Sequence, residues 1–328
     1  MPRFPVVQRC FPGAALLAAA CATGHPFRAE APVRMAHRGA DRAAPFYAER
    51  FPEAKARLFA RLNAQRRAVG APSVAYDLLA ARVGDAFCLD TARTRSSGHW
   101  DTAGRPPYLR WCLAGGVDYH AENLGSLTRV GADVREAEVP ALLLDAHERM
   151  MAEVPPDDGH RRTVLDPEWT HVGIGVAAFG GEFRMVEEFS RHVVEWVEVP
   201  AGPLPAGTRA PFAVKLPAGW VLASIEVGFE APASPMSREE IARRGAYGYP
   251  GASQSLLARA PANARYPDGS RGEISLVHGL ARADIPLVSG AGNYYVFVYA
   301  APGSVAGRRL SPLTSALIQA RSLNSPPK

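Results

Sequence analysis

The order of local signals along the chain predicts an α+β protein: helical periods first, antiparallel strands next, and a turn-rich β region last. Three observations carry this reading. Residues 53–69 and 78–89 space their apolar side chains at helical intervals. Two strand-like runs, 171–177 and 183–189, flank Gly180 and Gly181, the signature of a hairpin. Past Pro200, clusters of Pro and Gly separate short apolar runs, the texture of a small β-sandwich.

At 328 residues the chain is long enough for two modest domains, and its 47% hydrophobic and 21% charged composition is that of an ordinary globular protein. The formal charge of +5 is small and scattered, which excludes the basic footprint expected of a nucleic-acid binder. Arg3 and Arg9 precede an apolar run, 14–20, that ends at Cys21. Residues 1–21 therefore read as a secretory signal peptide, and the run is too short for a stable membrane anchor. The segment 17–21 also resembles a bacterial lipobox, in which Cys21 would become a lipidated first residue attaching the protein to a membrane. The alternative is ordinary cleavage near Ala20 or Ala22. Either way the predicted location is extracytoplasmic. Residues 22–45 show no period and read as a linker.

The first helix has apolar positions at Leu58, Phe59, Leu62 and Val69 with Ala and Arg between, which suits an amphipathic helix, and Gly70, Ala71 and Pro72 stop it. Asp77 is placed to cap a second helix. Residues 94–121 read as a loop, and a third helix is expected over 141–153, before Pro155 and Pro156. In the last part, strands are expected at 212–216, 220–229, 273–280 and 294–300, with a short helix at 237–243 opened by a Ser237/Glu240 capping box. Outside the leader lie two cysteines, Cys88 and Cys112, whose spacing allows a disulfide in an exported protein but equally two buried thiols.

Four motifs carry the chemistry: Ser97-Gly98-His99-Trp100, Ala121-Glu122-Asn123-Leu124, Met150-Met151-Ala152-Glu153 and Gly159-His160-Arg161, followed by Thr170-His171-Val172-Gly173-Ile174-Gly175. In this order and spacing they resemble the CAP superfamily (cysteine-rich secretory, antigen five and pathogenesis-related proteins), above all its bacterial SCP-like branch. The resemblance covers residues 46–191. It implies an α-β-α sandwich over 46–195, followed by a β-rich accessory domain over 200–328. It further implies a cleft lined by His99, Glu122, Glu153 and His160. Met150 departs from the tryptophan usual there, and the proline-rich stretch 154–158 separates Glu153 from His160, so Glu148 is a rival for Glu153.

Two imidazoles and two carboxylates in one concavity suit a zinc-like divalent ion held by His99 and His160, or a small-molecule, lipid or envelope ligand. A hydrogen-bonded scaffold without a ligand and an acid–base pair are the competing uses of the same residues. The other histidines take the bland reading: His171 as a packed or surface residue and His192 as solvated, with a place behind the cleft beside Glu122 the lesser alternative for His120, and His147 sharing the ambiguity of its neighbour Glu148. There is no Gly-x-Ser-x-Gly elbow, His-Glu-x-x-His helix, P-loop or dinucleotide fingerprint. The expected function is an exported binding protein. A metal-dependent hydrolase and an envelope interaction module with an unused cleft are the alternatives.

Overall fold

The computed structural model describes residues 50–322; the expected leader and the 22–45 linker lie outside them. Within the described residues no helix is long and apolar enough to cross a membrane. The first part is built on a four-stranded sheet of order β1 (Ala75–Tyr76), β3 (His171–Phe179), β4 (Glu182–Ser190) and β2 (His120–Thr128). One face is covered by α1 (Pro52–Ala68), α4 (Val139–Met151) and α5 (Gly159–Leu165), the other by α2 (Leu78–Thr94) and α3 (Pro107–Leu113).

Asp77 caps α2 as its position predicts, its Oδ1 accepting from the Ala80 N–H at 3.1 Å. The buried stripe Ala80, Ala81, Gly84, Phe87, Cys88 and Thr91 then faces the sheet. A Cβ at Gly173 would strike Ala80 and Ala81, and one at Gly175 would strike Gly84. The Val-Gly-Ile-Gly run thus lets α2 lie directly on β3. Val172, Ile174 and Val176 point the other way, into the layer of α1 and α4. Because helices cover both faces, all nine residues of β4 are buried, including Glu187 and Glu188.

The second part is a two-sheet sandwich. One sheet has the order β10 (Ser275–Val277), β11 (Leu280–Pro286), β7 (Arg209–Lys215), β5 (Glu195–Glu198). The other runs β6 (Leu204–Pro205), β13 (Ala316–Arg321), β12 (Gly292–Pro302), β8 (Trp220–Glu230), β9 (Ala252–Leu256). Tyr294, Val296 and Val298 of β12 fill the sandwich core, whereas Tyr295 and Phe297 on its opposite face pack on Tyr108, Leu109, Trp111 and Cys112 of α3. One strand therefore serves two cores. The two parts are also stitched by backbone: Asp118 bridges Thr314, Tyr119 N–H donates to Leu313 O at 3.1 Å, and Ser315 N–H donates to Val117 O at 3.0 Å.

Several elements depart from the sequence expectation. The loop expected over 94–121 contains α3 and the start of β2; six of the seven α3 residues are buried, so the helix has no polar stripe to betray its period. The third helix starts at Val139 and ends at Met151, with Ala152 as its C-cap, which leaves Glu153 in the following loop. The strand expected over 273–280 is a short β10 and a turn into β11, made by His278 and Gly279 with φ of 49° and 78°. The short helix (α6, Arg238–Arg244) carries the Ser237/Glu240 capping box.

The disulfide that the Cys88/Cys112 spacing allowed is not formed. Both thiols are free and buried. Cys88 lies between α2 and the sheet with Phe87, Ala177 and Val186, while Cys112 belongs to the interface with the sandwich and donates to Ser315 O at 3.0 Å. Burial pushes the Cys112 thiol up to about 12 and Cys88 well above its ordinary value. Thiol labelling of the non-reduced native protein should therefore leave both unmodified and should modify both after denaturation; an intact mass two hydrogens short, with no labelling, would contradict it.

Candidate functional site

The site is organised around β2, whose successive residues Glu122 and Asn123 point to opposite faces of the sheet. On the α2–α3 face, Glu122 is fully enclosed. Its Oε1 lies 2.8 Å from His99 Nδ1, and its Oε2 accepts from Arg110 Nη2 at 2.5 Å. Arg110 also donates through Nη1 to the backbone oxygens of His99 at 2.7 Å and Arg105 at 2.9 Å, and its guanidinium lies 3.7 Å from the centre of the Phe87 ring. One α3 arginine thus fixes both the carboxylate and the loop that carries His99.

Two further buried groups adjoin this pair. Glu188 sits opposite Glu122 in the β2–β4 register. His120 Nε2 lies 2.8 Å from Glu188 Oε2, but misaligned for a hydrogen bond, and its ring stacks on Trp111 at 5.2 Å between centroids. Burial opposes ionisation of Glu122, yet the charge of Arg110 and the hydrogen bond from His99 outweigh it and lower its pKa. Burial and then the neighbouring Glu122 charge raise Glu188 well above the ordinary carboxylate range. Burial lowers His120 to about 3. The negative charge of this face is therefore drawn to Glu122, while Glu188 is biased towards its protonated form and His120 towards its neutral one.

On the other face, His160 opens α5 and Glu153 lies in the preceding loop. Glu153 Oε1 is 2.5 Å from His160 Nδ1, and Oε2 accepts from the His160 N–H at 3.0 Å. Asn123 joins this pair to the sheet, its Nδ2 donating to His160 O at 3.1 Å and to Glu187 Oε2 at 3.2 Å. Glu187 in turn holds the buried His147 at Nδ1, 2.5 Å away, and Gln65 Oε1 meets its Nε2 at 2.5 Å. Burial opposes a charge on His147, but the Glu187 charge and hydrogen bond outweigh it and raise its pKa.

The structure brings the four expected residues together as two pairs, His99–Glu122 and His160–Glu153. Among the described residues no hydrogen bond or ion pair runs directly from one pair to the other; Asn123, next to Glu122 in β2, ties the second pair to Glu187 of β4. The rival Glu148 is held by Arg61 Nε at 2.6 Å and by Gln65, on the α1 side. The pairs differ in access: the His99 and Glu122 side chains are 16% and 0% exposed, those of His160 and Glu153 37% and 23%.

Sequence reasoning passed over Arg110, Glu187, Glu188 and Tyr247. The adjacent glutamates inside a strand that also holds Phe183, Met185, Val186 and Phe189 were a readable signal, since a strand covered on both faces must neutralise or pair any charge it carries. Arg110 and Tyr247 gave no local signal.

No family model matches the chain, and no curated protein matches it in sequence. Solved structures with a similar part include an extracellular protein containing an SCP domain from Bacillus anthracis (20% identity, TM-score 0.33). The match covers 42% of this chain and 40% of that one, so the chain spans about two fifths of that protein's length. An outer surface protein of Borrelia burgdorferi is similar at 14% identity and a TM-score of 0.34, over 42% of this chain and 92% of that one.

The protonation states lead to a direct test. Folding keeps a proton on Glu188 that the unfolded chain releases near the ordinary value of 4.5, so this residue makes stability fall as pH rises above 4.5. Glu122 acts oppositely, its contribution being lost as pH falls through its lowered pKa. A Glu188→Gln variant keeps the neutral shape without the proton linkage. Urea unfolding between pH 4.5 and 7.5 should show the variant gaining steadily on the wild type as pH rises. Parallel profiles would contradict a raised pKa at Glu188.

Proposed function

We propose that this chain is an exported CAP-type protein that binds a polar ligand in a cleft wrapped around β2. The observation that carries the reading is the repeated arrangement of its two imidazoles. His99 and His160 each give Nδ1 to a carboxylate. Each ring is thereby oriented with its second nitrogen, Nε2, as the group offered to a ligand. The ordered motifs around Glu122-Asn123 support the family, and the leader signals of residues 1–21, including Cys21 as a point of lipid attachment, support export and a place in the cell envelope.

A zinc-like ion is the second reading, favoured by the same geometry, because metal-bound imidazoles characteristically hand their other nitrogen to a carboxylate. The donor set fits a resident zinc incompletely. Among the described residues no group of three or more His, Cys, Asp and Glu side chains gathers to hold a metal. The carboxylates are engaged at Nδ1 and, among the described residues, no hydrogen bond or ion pair joins the two pairs, so an ion would rest on imidazole Nε2 with water completing its shell, and would exchange readily.

Native mass spectrometry of the exported protein, purified without refolding, separates these readings. A small-molecule adduct present in the wild type and missing in the His99→Ala/His160→Ala variant supports the ligand. Calorimetric heat with zinc chloride that vanishes in the same variant supports the ion. A wild type that carries no adduct and takes up no zinc, while remaining folded, would overturn the cleft as a binding site.

A further inference from the structure

The connection between β8 and β9, residues 231–251, leaves the sandwich and lies over the half of the cleft that holds His99 and Glu122. Its first stretch grips the loop before α3. Met236 N–H donates to Thr102 O at 3.0 Å, a Cβ on Gly104 would collide with Ser234, and Ile241 of α6 stands 3.2 Å from where a Cβ on Gly98 would be. Arg244 lies over the Trp100 ring, 5.5 Å from its centre. The four residues Ser97-Gly98-His99-Trp100 are thus held down by the second part of the chain.

The last stretch runs along the outer edge of β2, where a strand would otherwise pair. The Tyr247 hydroxyl accepts from the Glu122 N–H at 2.5 Å and donates to Glu122 O at 3.4 Å. The Tyr249 hydroxyl accepts from the His120 N–H at 3.3 Å and donates to His120 O at 3.1 Å. Two phenols, two residues apart, therefore satisfy the first two outward-facing residues of the edge, His120 and Glu122, as a neighbouring strand would. The Tyr247 ring also packs on His99, with centroids 4.7 Å apart. Tyr249 is anchored more deeply, stacked on Tyr108 at 4.3 Å and hydrogen-bonded to Ser315 Oγ at 3.2 Å.

What holds this strip is side chain alone. Among the described residues no backbone–backbone hydrogen bond involves 246–251. Gly245, Gly248 and Gly251 punctuate it, each with open space where a Cβ would stand. Strips secured by few backbone hydrogen bonds are the first to open locally.

We propose that residues 245–251 form a gate over the cleft, and that Tyr247 is the residue that controls access to His99 while His160 stays open. The gate rests on reading the cleft as a binding site, but its test needs no ligand. Diethyl pyrocarbonate acylates accessible neutral imidazoles, and peptide mapping separates the nine histidines of the chain. In the wild type, His160 should react about tenfold faster than His99, because the Tyr247 ring packs on the His99 ring while His160 is more exposed. Tyr247→Ala should bring His99 close to the His160 rate and leave His160 unchanged. Tyr247→Phe, which keeps the ring, should leave His99 slow but accelerate hydrogen exchange at the Glu122 amide. Equal wild-type rates at the two histidines would overturn the gate. So would a folded Tyr247→Ala protein with His99 still slow, or an unchanged Glu122 amide in Tyr247→Phe. Loss of ligand or zinc binding with these rates intact would instead count against the cleft, not the gate.

Discussion

The buried ion pair between Arg110 and Glu122 is the constraint on which the rest of the site depends. A carboxylate with no exposed surface is tolerated only if its charge is matched and its lone pairs are used. Arg110 supplies the opposite charge on one oxygen and His99 occupies the other. Because the same guanidinium also holds the His99 and Arg105 carbonyls, the electrostatic requirement of Glu122 becomes a positional requirement on the whole loop. The upward shift of Glu188 follows: with one negative charge already settled on this face, a second buried carboxylate beside it would be repelled and unsolvated.

A second theme is how the sheet ends. β1 covers only the first residues of the β3 edge, and beyond it Asp85 of α2 accepts from the Val176 N–H at 2.9 Å while pairing with the buried Lys55 at 2.7 Å. At the opposite edge Tyr247 and Tyr249 meet β2. Side chains reaching in from neighbouring elements thus do the work of absent strands on both edges, which protects them from pairing with another chain. The two caps differ in origin. Asp85 is local to the first part, whereas the tyrosines come from the sandwich, so the second part finishes the sheet of the first. It is also joined to it by the Asp118–Thr314 bridge and by the α3–β12 contacts.

What was legible in the sequence was what local physics decides. The α1 stripe, the Asp77 cap, the Gly180–Gly181 hairpin and the Ser237/Glu240 box each depend on residues within a turn or two of one another. Among the elements that escaped notice, α3 and the start of β2 lack the polarity pattern that usually marks them. α3 is apolar nearly all round because it lies between two cores, and β2 turns His120 and Glu122 inward, reversing the polarity that marks a strand. The resemblance to known motifs supplied His99, Glu122, Glu153 and His160. It could not supply Arg110, Glu188 or Tyr247, since their relation to the site is created by packing between segments far apart in the chain.

If the Arg110–Glu122 pair organises this face, its two members must be energetically coupled. The most direct measurement is a double-mutant cycle on unfolding free energy with Arg110→Met, Glu122→Gln and the combined variant. Each single change leaves a buried partner uncompensated and should cost about 3–5 kcal/mol. The double variant, which removes both charges together, should cost clearly less than the sum of the two. Additive single costs would contradict the account, because they would mean that the two side chains stabilise the fold independently of one another.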